Sequence, residues 1–191
     1  ARFGRIDTLI ANAGISMWAR FEDITDVSIF ARLVEVNYLG VVYCTHYALP
    51  HVLKSRGALV AISSIQGKIP VPFHTGYVAS KHAVQGFFRA LRTELRGTGV
   101  HILLVLPHWL TGTRLRESAY AKNGSTIGDS RSRHSGESVT VEECSRAIIA
   151  ALQKRREELV IPTKLRALPW LNLISPRLLD YIVSRKVEEQ L

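Results

Sequence analysis

The chain has 191 residues, 47% of them hydrophobic and 21% charged. That is long enough for one domain with a sizeable core and too short to require two. The formal net charge is +9, but no basic-aromatic motif of a nucleic-acid-binding module appears, so nucleic acid is not an expected partner. No signal-peptide pattern opens the chain, and no stretch of transmembrane length is free of charge and proline.

In chain order, short aliphatic runs alternate with longer helical patterns. The runs at Ile6–Ala11, Ala58–Ile62, Val100–Leu106 and Leu159–Ile161 do not alternate with polar residues. Such strands suit a sheet covered on both faces, which means a parallel one. Helices are predicted between them at Asp26–Lys54, Gly76–Arg96 and Thr140–Lys154. Repetition of strand, helix and strand predicts a doubly wound, Rossmann-like three-layer α/β/α fold, with residues 1–191 forming one domain. The chain starts at Ala1, with a charged helical remnant running straight into an apolar run. We therefore expect an N-terminal part, with the first strands, to be missing.

The first helix carries the stripe Phe30, Val34, Asn37, Val41, Cys44 and Ala48, interrupted by one amide. In the second, Tyr77, Lys81, Val84, Phe88, Leu91 and Leu95 recur at helical spacing, so Lys81 falls on the buried side. The opposite face, with Ala79, Ala83, Phe87 and Ala90, is apolar too. A helix apolar on both sides needs two covers, and a homodimer or homotetramer through the helices at 26–54 and 76–96 is the simplest arrangement. Cys44 and Cys144 fit no metal or redox spacing. Both read as core residues of a reducing, cytoplasmic compartment, and no metal site is expected.

From Thr113 to Ser138 the texture turns to Ser, Arg, Gly and Asn. A short helix is expected at Arg114–Lys122, then a loop. The segment 113–139 follows a strand's carboxyl end, where open α/β sheets bind ligands, and reads as a substrate lid. The tail, 163–191, carries a predicted helix from Pro176 to Glu189. Its basic residues read as a solvated surface, with an acidic membrane surface or an anionic cofactor as the sharper alternatives. Leu165, Leu168, Trp170, Leu171, Leu173 and Ile174, flanked by Arg166 and Arg177, either pack on the domain or touch a membrane peripherally.

The chemistry concentrates around Tyr77. It stands one helical turn from Lys81, on the same face. A phenol is a poor acid–base group at neutral pH, but a nearby cation favours the phenolate and brings proton exchange with an alcohol or carbonyl within reach. Alone, such a pair is as readily a core tyrosine with a snorkelling lysine. Context decides between them. Ser64 stands thirteen positions earlier, at the carboxyl end of a strand-like run. Asn37 is the lone amide of an apolar stripe, and a buried amide demands partners, which a water-filled proton relay would supply.

Asn12, Ala13 and Gly14, then Asn37, Ser64 and the run from Tyr77 to Lys81, resemble the motifs of the short-chain dehydrogenase/reductases in order and spacing. The resemblance runs from about Asp7 to Ile161, and the tail looks like the hydroxysteroid-dehydrogenase-like branch. It implies an NAD(P)-dependent oxidoreductase acting on a secondary alcohol or ketone. Tyr77 would be the acid–base group and border the cofactor, Lys81 would lower its pKa and hold the nicotinamide ribose, Ser64 would polarise the carbonyl, and Asn37 would position a relay water. Asn12, Ala13 and Gly14 would flank the adenosine half of NAD or NADP. Pro107, Leu110 and Thr113 would line the nicotinamide, and Gln66, His108 and Trp109 are candidates for substrate contact.

Three departures stand out. Ala11 replaces the first of the family's usual paired asparagines. The family's glycine after the third strand's proline is His108 here, and the threonine beyond it is shifted, leaving Thr111 as a substitute for Thr113. His108 reads equally as a hydrogen-bonded loop residue. The Gly-rich turn that holds the pyrophosphate, and the later residue that chooses between NAD and NADP, are not in the sequence. About four strands are expected. The competing function is a non-catalytic fragment or scaffold acting through its helix faces.

Overall fold

The computed structural model describes residues 3–128 and 138–189. Four parallel strands, β1 (Thr8–Ala11), β2 (Ala58–Ile62), β3 (His101–Pro107) and β6 (Glu158–Ile161), form one sheet in the order β1-β2-β3-β6. Two-residue strands β4 (Leu110–Thr111) and β5 (Val139–Thr140) pair beyond its carboxyl end. The predicted strands are present within two residues at either end, and the pair β4–β5 was not foreseen because two residues carry no periodicity.

Alternate residues of the central strands face opposite layers. Leu59, Ala61, Ile102 and Leu104 meet Val41, Ala48 and Val52 of α2 (Gly40–Ser55) and Val84, Phe88 and Leu91 of α3 (Thr75–Glu94). Val60, Leu103 and Val105 meet Cys144 and Ala151 of α4 (Val141–Gln153) on the other side. A capping box starts α4, in which Thr140 and Glu143 satisfy each other's backbone N–H groups. All seven residues of β3 are buried, as a strand covered on both faces must be. Helices α5 (Leu168–Ile174) and α6 (Pro176–Glu188) close the far end over Ile65, Leu106 and Val160.

The predicted helix at 26–54 is continuous but not regular. It runs as α1 (Ser28–Val34), a π-helical turn at Glu35–Leu39, and α2. An i→i+5 turn takes up an extra residue and shifts the buried face. That face holds Ile29, Leu33, Asn37, Val41 and Thr45, while Val34 and Cys44 of the expected stripe are exposed. Cys44 is therefore not a core residue, whereas Cys144 is buried.

A second correction concerns the expected helix at Arg114–Lys122. Only one turn forms, closed by Ser118 N–H to Arg114 O (2.9 Å) and Ala119 N–H to Arg116 O (3.0 Å). Tyr120 then pairs its backbone with Ser16 and Trp18, at 2.9 Å each, and this extended pairing displaces further helix. Of the predicted lid, residues 129–137 lie outside the described residues.

The tail divides. Leu165, Leu168 and Leu171 pack against the domain, while Trp170, Leu173 and Ile174 are exposed. Among the described residues no helix is long and apolar enough to cross a membrane.

The turn after β2 lies hard against α3. A Cβ on Gly67 would meet the Gln85 side-chain amide and come within 2.7 Å of Lys81 O. Gly67→Ala should therefore cost about 1–3 kcal/mol through forced displacement of the backbone. Phe88→Ala, which empties a fully buried site between α3 and the sheet, should cost about 3–5 kcal/mol. Urea unfolding checks both.

Candidate active site

The carboxyl ends of β1, β2 and β3 meet the first turns of α3, and polar side chains fill the junction. Beyond β1, the loop of Asn12, Ala13 and Gly14 is fastened by Asn37. Its Oδ1 accepts from Ile15 N–H (2.8 Å), and its Nδ2 donates to Ile15 O (2.9 Å) and to Ser80 Oγ (2.9 Å). The buried amide thus finds its partners in the protein. The Ile15 backbone and the Ser80 hydroxyl supply three bonds, and Oδ1 keeps a second lone pair. A Cβ on Gly14 would lie 3.3 Å from Lys81 Nζ and 3.4 Å from Asn37 Oδ1, so glycine lets loop, amide and ammonium converge.

Beyond β2, Ser63 and Ser64 are both buried. Ser63 Oγ donates to Lys81 O (3.1 Å), and Gln85 Nε2 donates to Ser63 Oγ (3.2 Å) and Ser64 O (3.0 Å). Gln85 sits one turn below Lys81 and ties the serine pair to α3. Ser64 Oγ accepts from Gln66 N–H (3.2 Å) and donates to Pro107 O at 3.3 Å. The last is a long bond, which leaves the hydroxyl able to turn towards the Tyr77 phenol.

Tyr77 and Lys81 are both buried, with Lys81 Nζ 5.6 Å from the centroid of the Tyr77 ring and donating to Ile62 O (3.0 Å). Burial pushes the phenol up to about 12, against a lowering contribution from Ser64. Burial brings the Lys81 ammonium down to about 8. The depression of Tyr77 by Lys81 expected from their spacing is thus outweighed here. Desolvation disfavours the charged form of both groups, so the phenol stays neutral while Lys81, at about 8, still carries its proton at neutral pH.

These groups border a cavity of about 440 Å³. Asn12, Ala13, Gly14, Ser64, Gln66, Tyr77, Lys81, Pro107, His108, Trp109, Leu110 and Thr113 all line it. Asn37 stands behind the wall, and Thr111 is not part of the lining, its hydroxyl donating instead to Val139 O (3.4 Å). The sequence reading missed Met17, Trp18, His74 and Arg116, which line the cavity too. It missed Ser80 and Gln85 as well; both are polar residues next to the apolar stripe of α3, a signal that could have marked them.

His74 has an unusual setting. Its ring meets the Trp18 indole edge-on at 4.8 Å, and Nδ1 lies 2.9 Å from Pro72 O. A carbonyl only accepts, so Nδ1 carries the proton. Burial holds the pKa down at about 4, with the Arg116 charge adding to the effect against the bond to Pro72.

A parallel α/β sheet with a tyrosine, a lysine and a serine gathered at its carboxyl ends defines a Rossmann-like α/β protein. A family model described as short chain dehydrogenase matches residues 1–124, and the chain belongs to the short-chain dehydrogenase/reductase family. It is 36% identical over 189 residues to dehydrogenase/reductase SDR family member 7B of Xenopus laevis, covering 98% of this chain and 58% of that protein. It is 34% identical over 184 residues to 11-beta-hydroxysteroid dehydrogenase-like 4A of Arabidopsis thaliana, covering 94% and 58%. The chain thus spans well under two thirds of the length of these relatives, which include the hydroxysteroid-dehydrogenase-like branch. A short-chain dehydrogenase/reductase from Burkholderia phymatum, solved in complex with NAD, superposes with a TM-score of 0.77 at 21% identity, over 92% of this chain and 68% of that one. One from Burkholderia cenocepacia J2315, in complex with NADP, gives 0.76 at 21%, over 93% and 68%. At that identity the likeness concerns the fold.

The His74 setting makes the fold acid-sensitive. Its native pKa lies below the ordinary 6.5, so unfolded chains take up the proton first as pH falls. Stability is intact above about 6.5 and is lost towards about 4, by on the order of 3 kcal/mol. His74→Gln should remove that component. Urea unfolding of both proteins across this range should show the native protein losing stability relative to the variant as pH falls.

Proposed function

We propose that this chain carries the proton-transfer half of an NAD(P)-dependent oxidoreductase that interconverts a secondary alcohol and a ketone. The observation that carries the proposal is the convergence of Tyr77, Ser64 and Lys81 on one cavity between the ends of β1 and β3. The family supports the reaction class, and the NAD and NADP complexes of the Burkholderia proteins support the type of cofactor without choosing between them.

The residues present fit the nicotinamide half of such a cofactor. Lys81 is a buried cation whose Nζ has one hydrogen bond, to Ile62 O, and donors to spare beside Gly14. Lys81 would hold the ribose hydroxyls; Pro107, Leu110 and Thr113 would flank the nicotinamide; and Asn12, Ala13 and Gly14 would face the adenosine side. Bound there, the cofactor supplies or accepts the hydride.

The rest of the chemistry belongs to the chain. Tyr77, held at about 12, keeps its proton throughout the neutral range, which suits donation to a carbonyl oxygen that gains charge. Ser64 turns its hydroxyl to the same oxygen and offsets that charge. Lys81 in its charged form draws the phenol's proton towards release, and Asn37 keeps the loop beside Lys81 in place. Loss of the Lys81 proton near its pKa of about 8 should weaken ketone reduction above that pH. A second copy packed over α2 and α3 belongs to this reading, supported by the exposure of Tyr43, Tyr47, Ala79 and Ala83.

In the full-length protein, Tyr77→Phe should abolish turnover while leaving thermal stability and nicotinamide-fluorescence titration with NADH and NADPH unchanged. Retained activity would sink the assignment. Ser64→Ala should lower kcat by about 10²–10³-fold, as loss of one oxyanion donor does. Lys81→Met should weaken cofactor binding and move the pH optimum of alcohol oxidation upward. An unchanged pH profile removes its electrostatic role.

A further inference from the structure

Arg116 is the strongest unexplained group in the molecule. Its guanidinium is clamped between two indoles, 4.7 Å from the Trp18 ring centroid and 5.0 Å from that of Trp109. The clamp is itself braced: Trp18 stacks on Phe73 at 5.6 Å and 7° and meets His74 edge-on. Aromatic faces stabilise a cation but accept few of its hydrogen bonds. Nε and Nη1 are both buried, and neither has a hydrogen-bond partner. A guanidinium carries five N–H donors in a fixed fork and cannot relieve its burial by losing a proton.

The surroundings do not offset the charge. Arg116 lines the same cavity as Tyr77 and Ser64, on the side of Trp18 and Trp109. Lys81, Arg114, His74 and His108 line it as well, and among the described residues no aspartate or glutamate does. Arg116 is in no ion pair among the described residues. A partly desolvated cation with open donors, in a cavity to which none of the described residues brings a carboxylate, is arranged for an anion brought from outside.

From this geometry we infer that the substrate is an anionic ketone or alcohol, whose carboxylate or phosphate is held by Arg116 between Trp18 and Trp109 while its reacting oxygen lies at Tyr77 and Ser64. The inference rests on the oxidoreductase reading of the site and adds the class of substrate. A neutral acceptor would satisfy a donor of Arg116, but only an anion also offsets its charge. The two indoles flank the head of the substrate, so its contact should change their emission.

The test uses the full-length protein and two matched pairs of probes: 4-oxo-4-phenylbutanoate with its methyl ester, and phenacyl phosphate with phenacyl alcohol. Rates with NADH and NADPH are measured for the native protein, Arg116→Gln and Arg116→Lys. Quenching of tryptophan fluorescence gives binding without turnover. The native protein should favour at least one anionic probe over its neutral partner by about 10–100-fold, the range of a hydrogen bond to a charged group. Preference in the first pair assigns a carboxylate; preference in the second assigns a phosphate. Arg116→Gln should erase that preference and leave the neutral probe within a few-fold, and Arg116→Lys should restore part of it. Cofactor affinity should be the same in all three proteins. Turnover of neutral probes without charge preference would overturn the inference and leave the catalytic reading standing. Anion-selective quenching without turnover would leave an anion site at Arg116 but overturn the catalytic reading, and with it the assignment of that anion as substrate. Equal losses on both members of a pair, weakened cofactor binding in Arg116→Gln, or no anion-selective quenching or turnover would each overturn it.

Discussion

A lysine buried beneath the end of an aliphatic parallel sheet sets the terms for this site. Taking an ammonium out of water is costly unless it is hydrogen-bonded and partnered. The chain meets that demand only in part: Lys81 has one backbone acceptor, a nearby aromatic ring and a pKa brought down to about 8. Every element around it is arranged about this residue. Gly14 is small enough to come close, Asn37 pins the loop that carries Gly14, and Ser63 and Gln85 hold the lysine's own backbone against β2.

The π turn at Glu35–Leu39 belongs to the same arrangement. A regular helix of the same sequence would keep the expected stripe through Val34 and Cys44. With the wider turn, Leu33 and Thr45 share the buried face with Asn37 instead, and the amide reaches Ile15 in one direction and Ser80 in the other. Local departure from ideal helical geometry thus fastens the loop after β1 to the helix that carries Tyr77. Buried hydrogen bonds of this kind hold a group in place more than they add to net stability.

The sheet explains why so much polar chemistry is tolerated. Its strands bury aliphatic side chains on both faces, against α2 and α3 on one side and α4 on the other. Stability drawn from those two layers offsets buried charge and unpaired donors at the carboxyl ends. The aromatic clamp on Arg116 and the buried neutral His74 are of that kind: each is an unfavourable setting for an ionisable group, held by packing around it.

The sequence by itself determined the alternation of strands and helices, the parallel class of the sheet, and the group of Ser64, Tyr77, Lys81, Asn37 and the loop at Asn12 to Gly14. Most of these rest on short-range patterns, namely aliphatic runs, helical spacing, and a polar residue where an apolar one is expected. The loop at Asn12 to Gly14 was marked only by the resemblance to the family. Tertiary structure decided what depends on partners far apart in the chain. Residues 114–122 are not a helix because Tyr120 pairs with Ser16 and Trp18, contacts across about a hundred positions that no local periodicity records. The same contacts bring Arg116 to Trp18 and, with Trp109, complete the clamp. The balance of charge at Tyr77 and Lys81 was also beyond the sequence. Spacing places a cation beside a phenol, but only burial determines how much charge either group keeps.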